Sequence, residues 1–123
     1  MLAQLYIRAG RWRETGLALD RAPQGNPRWD ADVERVRGEF LSLRPDADPA
    51  AAETAYRASL EIARRQGAAL PIFKSSFSLA EFLWLSERRQ EARDVLAAGL
   101  AALPEGGDTA DAQRAQLLLE RLR

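Results

Sequence analysis

The chain has 123 residues, no Cys and no His, and 18 basic side chains against 18 acidic ones. Ala, Leu and Arg supply 23, 18 and 17 residues, while Val, Ile and Thr supply three each; that favours helix and excludes a β-sandwich or barrel. Without Cys or His there is no disulfide framework, zinc knuckle, Ser–His or Cys–His catalysis, and zero net charge gives no strong electrostatic hold on nucleic acid or anionic membrane.

A short apolar stripe, Leu2, Leu5, Tyr6 and Ala9, opens the chain and stops at Gly10, a helix C-terminal signal. A second segment, residues 12 to 22, carries Trp12, Leu17, Leu19 and Ala22. Two Pro and one Gly in Ala22–Arg28 then break the pattern. The periodicity predicts a third helix from about Asp30 to Leu43, with Val33, Val36, Phe40 and Leu41 on its apolar side and Trp29 stapling the loop before it.

Asp48 as N-cap and Pro49 at the first helical position start a fourth helix over 49 to 66, closed by Gly67. The fifth, about Leu70 to Ser86, is apolar on more than one face through Ile72, Phe73, Phe77, Leu79, Leu83 and Trp84, so it packs on two neighbours or offers a groove. The sixth, 88 to 103, carries Ala92, Val95, Leu96 and Gly99. Asp108 or Thr109 caps a last helix bearing Ala112, Ala115, Leu118 and Leu122. Polar Gln113, Arg114, Gln116 and Glu120 make it a capping helix.

Three segments align as internal repeats: 2 to 22, 37 to 62 and 78 to 100. Their anchors Thr15, Ala52 and Ala92 lie at equivalent turns, 37 and then 40 residues apart. A small residue suits the point where two hairpin helices approach most closely.

The pattern resembles the tetratricopeptide repeat. The first segment matches with Leu2-Ala3, Tyr6, Gly10, Trp12, Thr15, Leu19 and Ala22. The second matches with Gly38, Leu41, Ala52, Tyr56 and Ser59, given a two-residue insertion at its turn; the third matches with Leu79-Ala80, Leu83, Ala92, Leu96 and Gly99. The opening Trp is replaced by Val36 and Ser76, the terminal Pro is missing, and the spacing exceeds the roughly 34 residues usual for the motif.

Across nearly the whole chain, the runs from Ala51 to Ala68, Ser78 to Ala97 and Glu105 to Leu122 also resemble the C-terminal helical tail of large bacterial signalling proteins. Those proteins carry a class III adenylate or guanylate cyclase domain and a P-loop ATPase module. The distinctive piece is Glu105, Gly106, Gly107, Asp108, Thr109, Ala110, Asp111.

The resemblance implies an all-α antiparallel α-hairpin superhelix, a tetratricopeptide-like solenoid with a C-terminal capping helix. It is one domain over 1–123, with repeats at about 1–22, 30–67 and 70–103 and the cap at 108–122. Leu2 falls at the seventh position of the motif, so the sequence opens in mid-repeat; Met1 marks either a truncation or a short standalone gene.

The resemblance carries no catalysis into this chain, which lacks GxxxxGK[ST] and an EF-hand loop. No catalytic, metal or cofactor-binding residue is expected. The expected function is protein–protein interaction within a bacterial signalling or regulatory protein, in the cytoplasm, without nucleic acid or membrane. The rival is an effector-binding module controlling an attached cyclase or transcription activator, for which a deep closed pocket around Phe77 and Trp84 would speak.

Counted from the repeat anchors, the concave face carries Lys74, Phe77, Glu81, Trp84 and Leu85 in the third repeat. The second contributes Asp32, Arg35, Glu39, Ser42 and Leu43, and the first Gln4, Ile7 and Arg8. A partner peptide would meet Arg35, Glu39, Lys74, Phe77, Glu81 and Trp84, with the two aromatics as anchors. The alternative is that Phe77 and Trp84 pack against the last helix or a neighbouring hairpin. Leu2, Leu5 and Tyr6 could pair with a second copy and make a homodimer. Arg64 with Arg65, and Arg88 with Arg89, stand near helix C-termini, where cations offset the macrodipole.

Overall fold

The computed structural model describes residues 2–22, 25, 27–104 and 110–123, apart from the side chains of Pro27 and Arg28. Met1, the loop residues Pro23, Gln24 and Asn26, and the run Glu105–Thr109 with its expected cap lie outside the described residues. Among the described residues there are seven α-helices and no strand: α1 (Leu2–Arg8), α2 (Trp12–Asp20), α3 (Pro27–Leu43), α4 (Pro49–Gln66), α5 (Ala69–Leu85), α6 (Arg89–Ala101) and α7 (Ala110–Arg121). No described helix is long and apolar enough to cross a membrane. The chain divides into two compact units, Met1–Ile62 and Ala63–Arg123.

In the first unit, α1 and α2 form a hairpin on which α3 packs. Its turn has a definite chemistry. Gly10 takes φ 70°, the Arg11 amide donates to the Tyr6 carbonyl at 2.8 Å, and the Gly10 amide donates to Ile7 at 3.0 Å. This is a Schellman ending, in which a left-handed residue lets the chain satisfy the last helical carbonyls. Ala3, Ile7, Leu19, Val33 and Val36 make the core of this unit, with Trp12 and Phe40 against it.

Small residues set the spacing between α3 and α4. A Cβ on Gly38 would stand 2.8 Å from the Tyr56 ring. One helical stretch further along α4, buried Ser59 donates to the Ala31 carbonyl at 2.6 Å. Asp48 caps α4 through its carboxylate, which accepts from the Ala51 amide at 3.1 Å, with Pro49 first in the helix as its fixed φ favours.

In the second unit, α5 packs on α6 and α6 on α7. The α5–α6 turn repeats the α1–α2 ending: the Arg88 amide donates to Leu83 at 2.9 Å and the Glu87 amide to Trp84 at 3.0 Å. Here the left-handed position, φ 62°, is held by Glu87 in place of a glycine. Gly99 lies so close to Ser76 that a Cβ would stand 2.4 Å from the serine Cβ. α7 is amphipathic, burying Ala112, Ala115 and Leu118. Its carbonyl end is tied down by Arg89 of α6, whose Nε donates to Leu122 at 3.0 Å and whose Nη2 donates to Arg123 at 2.7 Å and to Arg121.

Two local expectations are corrected. α3 begins at Pro27, three residues before Asp30; a proline preset for the first helical turn reads in sequence as a loop residue. Trp29 therefore sits inside the helix, half exposed, and is not a staple before it. Arg89 does stand at a helix C-terminus, that of α7.

Candidate functional site

Within the first unit an open groove runs between the start of α1, the second half of α2 and the start of α3. Its volume is about 560 Å³ and its walls are mostly apolar. Leu2, Ala3 and Tyr6 come from α1, Leu17, Ala18 and Ala22 from α2 and the residues after it, and Trp29 and Val33 from α3. Three of these are large and exposed: Leu2 at 56%, Leu17 at 44% and Trp29 at 49%. Exposed apolar patches of this kind are the surfaces on which partners or apolar ligands can dock.

Two charges sit on the rim, Glu14 and Arg21. Seven residues of helix separate them, about 10 Å along the axis. Glu14 lies in the first turn of α2. Its own backbone amide, then the Arg11 guanidinium at 3.1 Å, hold its carboxyl below the usual range. Arg21 has no ion pair among the described residues. Arg11 also lies over the Tyr6 ring, 5.4 Å from its centroid.

The sequence-predicted concave residues behave differently. Arg35 pairs with Asp32 at 3.3 Å and Glu39 at 3.7 Å on α3, with only 14% of its side chain exposed. Burial pushes the Glu39 carboxyl above its ordinary value, opposed by the nearby charges of Arg35 and Arg8. Arg8, Arg35 and Glu39 thus share one electrostatic neighbourhood in the first unit. Ile7, placed on that face by the repeat count, is instead a core residue.

In the second unit Lys74 and Glu81 are exposed, while Phe77 and Trp84 are partly buried. Phe77 meets Phe73 edge-on at 6.1 Å, and Arg114 of α7 lies 5.9 Å from its ring centroid. So Phe77 is engaged from within its own unit, which is the packing alternative for that residue. Of the self-association candidates, Leu2 and Tyr6 line the groove; Leu5 is exposed outside its lining.

The groove's α2 and α3 walls escaped the sequence reading. One signal was available: Leu17 stands where the third repeat has Asp94, an exposed position. A leucine there has no hairpin partner to bury it. A scan against protein-family models finds no matching family, and searches of curated proteins and of solved structures find no match.

Proposed function

We propose that this chain is a non-catalytic protein-interaction module of tetratricopeptide-like type, in which the hairpins belong to a superhelical array with α7 as its cap. It serves a cytoplasmic bacterial signalling or regulatory protein, of the kind that carries a nucleotide cyclase, and it takes a polypeptide partner in the α1–α2–α3 groove. The observation that carries this reading is the coincidence of exposed Leu2, Leu17 and Trp29 in one open apolar groove of about 560 Å³. Close packing against glycine, with Gly38 on Tyr56 and Gly99 on Ser76, supports the repeat character.

A displayed library of helix-forming peptides, selected on the folded chain, tests the reading. Binders should weaken about tenfold or more against Ala18→Arg, which drives a cation into the groove. If every enriched binder ignores that substitution, the groove is not the interaction surface.

A further inference from the structure

One side of α5 carries a pattern that its packing does not use. The helical period places Leu70, Lys74, Phe77, Ser78, Glu81 and Leu85 on that side, with buried Leu79 and Leu83 opposite. Four of the six are exposed and two are partly buried. Leu70 is 52% exposed; Leu85, at 78%, is the most exposed large apolar side chain among the described residues. Lys74 and Glu81 stand exposed between them.

The six residues read alike in both directions. Their intervals are four, three, one, three and four, with a leucine at each end. Only the charge changes sign across the centre, from Lys74 to Glu81. A two-fold axis between two copies requires this arrangement, because it sets one surface against itself. With the axis between Phe77 and Ser78 and the helices antiparallel, Lys74 faces the partner's Glu81, Leu70 the partner's Leu85 and Phe77 the partner's Ser78. A serine at the centre admits the facing ring at an interaxial distance of about 8 to 10 Å. A parallel pair would set lysine on lysine and glutamate on glutamate, and would align the two helix dipoles.

The stripe is about 22 Å long at the helical rise. α7 widens it: Arg114 lies over the Phe77 ring, and Leu117, three residues on along the same edge of α7, is 61% exposed. Zero net charge puts no overall repulsion between copies.

We propose that α5 is a self-association surface. Two copies of this chain pair antiparallel over Leu70–Leu85, and two reciprocal Lys74–Glu81 ion pairs fix the register. This surface lies in the second unit and is independent of the α1–α2–α3 groove. Its size puts it at the weak end of specific interfaces, so the pairing is reversible and follows concentration.

The test is sedimentation equilibrium of the full chain across a dilution series. The unaltered chain should pass from monomer to dimer as concentration rises. Lys74→Glu, or Glu81→Lys, places like charges opposite each other at two symmetry-related points, so each should weaken the dimer about tenfold or more. Mixing these two variants should rebuild a heterodimer, because every facing charge is then opposite again. The doubly reversed chain should pair as the unaltered one does. Circular dichroism should show unchanged helix in each variant. If either variant loses helix, Leu85→Arg at the highly exposed end takes its place and should weaken pairing about tenfold. A chain that stays monomeric up to about 1 mM overturns the proposal. So does a dimer that ignores these substitutions, or one that mixing the two reversals does not rebuild. A dimer lost with Ala18→Arg and indifferent at Lys74 and Glu81 is seated in the first unit, and overturns it as well.

Discussion

At the scale of single residues, close approach is the dominant constraint. Gly99 has no room for a methyl group, since Ser76 occupies the space a Cβ would need. Gly99→Ala should lower stability by about 1 to 3 kcal/mol through overpacking, read by urea unfolding. Two buried serines should respond oppositely. Ser59 donates to a backbone carbonyl, whereas the buried Ser76 hydroxyl has no hydrogen-bond partner among the described residues. Ser59→Ala should therefore cost about 1 to 3 kcal/mol, because it strands the Ala31 carbonyl, while Ser76→Ala should be neutral or stabilising. Equal losses from the two changes would contradict this account.

Glu39 gives a residue-scale prediction in pH. Its carboxyl is partly buried, and its folded pKa is raised above the ordinary 4.5. The folded state therefore binds the proton more tightly than the unfolded chain, so stability from this group is present at low pH and lost as pH rises through the raised pKa. Glu39→Gln should raise the melting temperature at pH 7, and the gain should vanish below about pH 4. A gain that persists in acid would show that burial of charge is not its cause.

At the scale of elements, turns and helix ends carry the specificity. Gly10 and Glu87 occupy equivalent left-handed positions in two matching Schellman endings. An L-residue with a Cβ pays about 1 to 2 kcal/mol there, partly offset by the unfolded-state entropy a glycine adds. Glu87→Gly should stabilise by about 0.5 to 1 kcal/mol, measurable in the urea midpoint without a change of slope. The end of α7 depends on a single guanidinium. Arg89→Ala should cost about 1 to 2 kcal/mol and increase amide exchange in the last turn of α7, while Arg88→Ala, which removes an exposed pair with Glu91, should cost under about 1 kcal/mol.

At the scale of the whole molecule, balanced charge meets exposed apolar surface. Eighteen acidic and eighteen basic side chains place the isoelectric point near 6.3. With little net repulsion, the exposed leucines and Trp29 should make solubility lowest near that pH. Without His or Cys almost nothing titrates between about pH 6 and pH 8, so light scattering should stay high across that range, and Leu17→Lys should reduce it.

Much of the molecule was legible in the sequence. The seven helices follow from an Ala-, Leu- and Arg-rich composition and 3.6-residue periodicity, which are local properties of the chain. Asp48 with Pro49, and Gly10 and Gly67, announced helix ends because capping is a matter of one side chain and a few neighbouring amides. Thr15, Ala52 and Ala92 were readable as buried small residues, and all three are fully covered, because close helix packing admits only small side chains. What only the tertiary structure decided is which apolar residues go uncovered. Phe77 and Leu85 both lie on the face that the sequence reading counts as concave, yet Phe77 meets Phe73 and Arg114 while Leu85 is 78% exposed. Burial is set by the element lying opposite, and that element is defined by long-range packing, not by the residue's own neighbours along the chain.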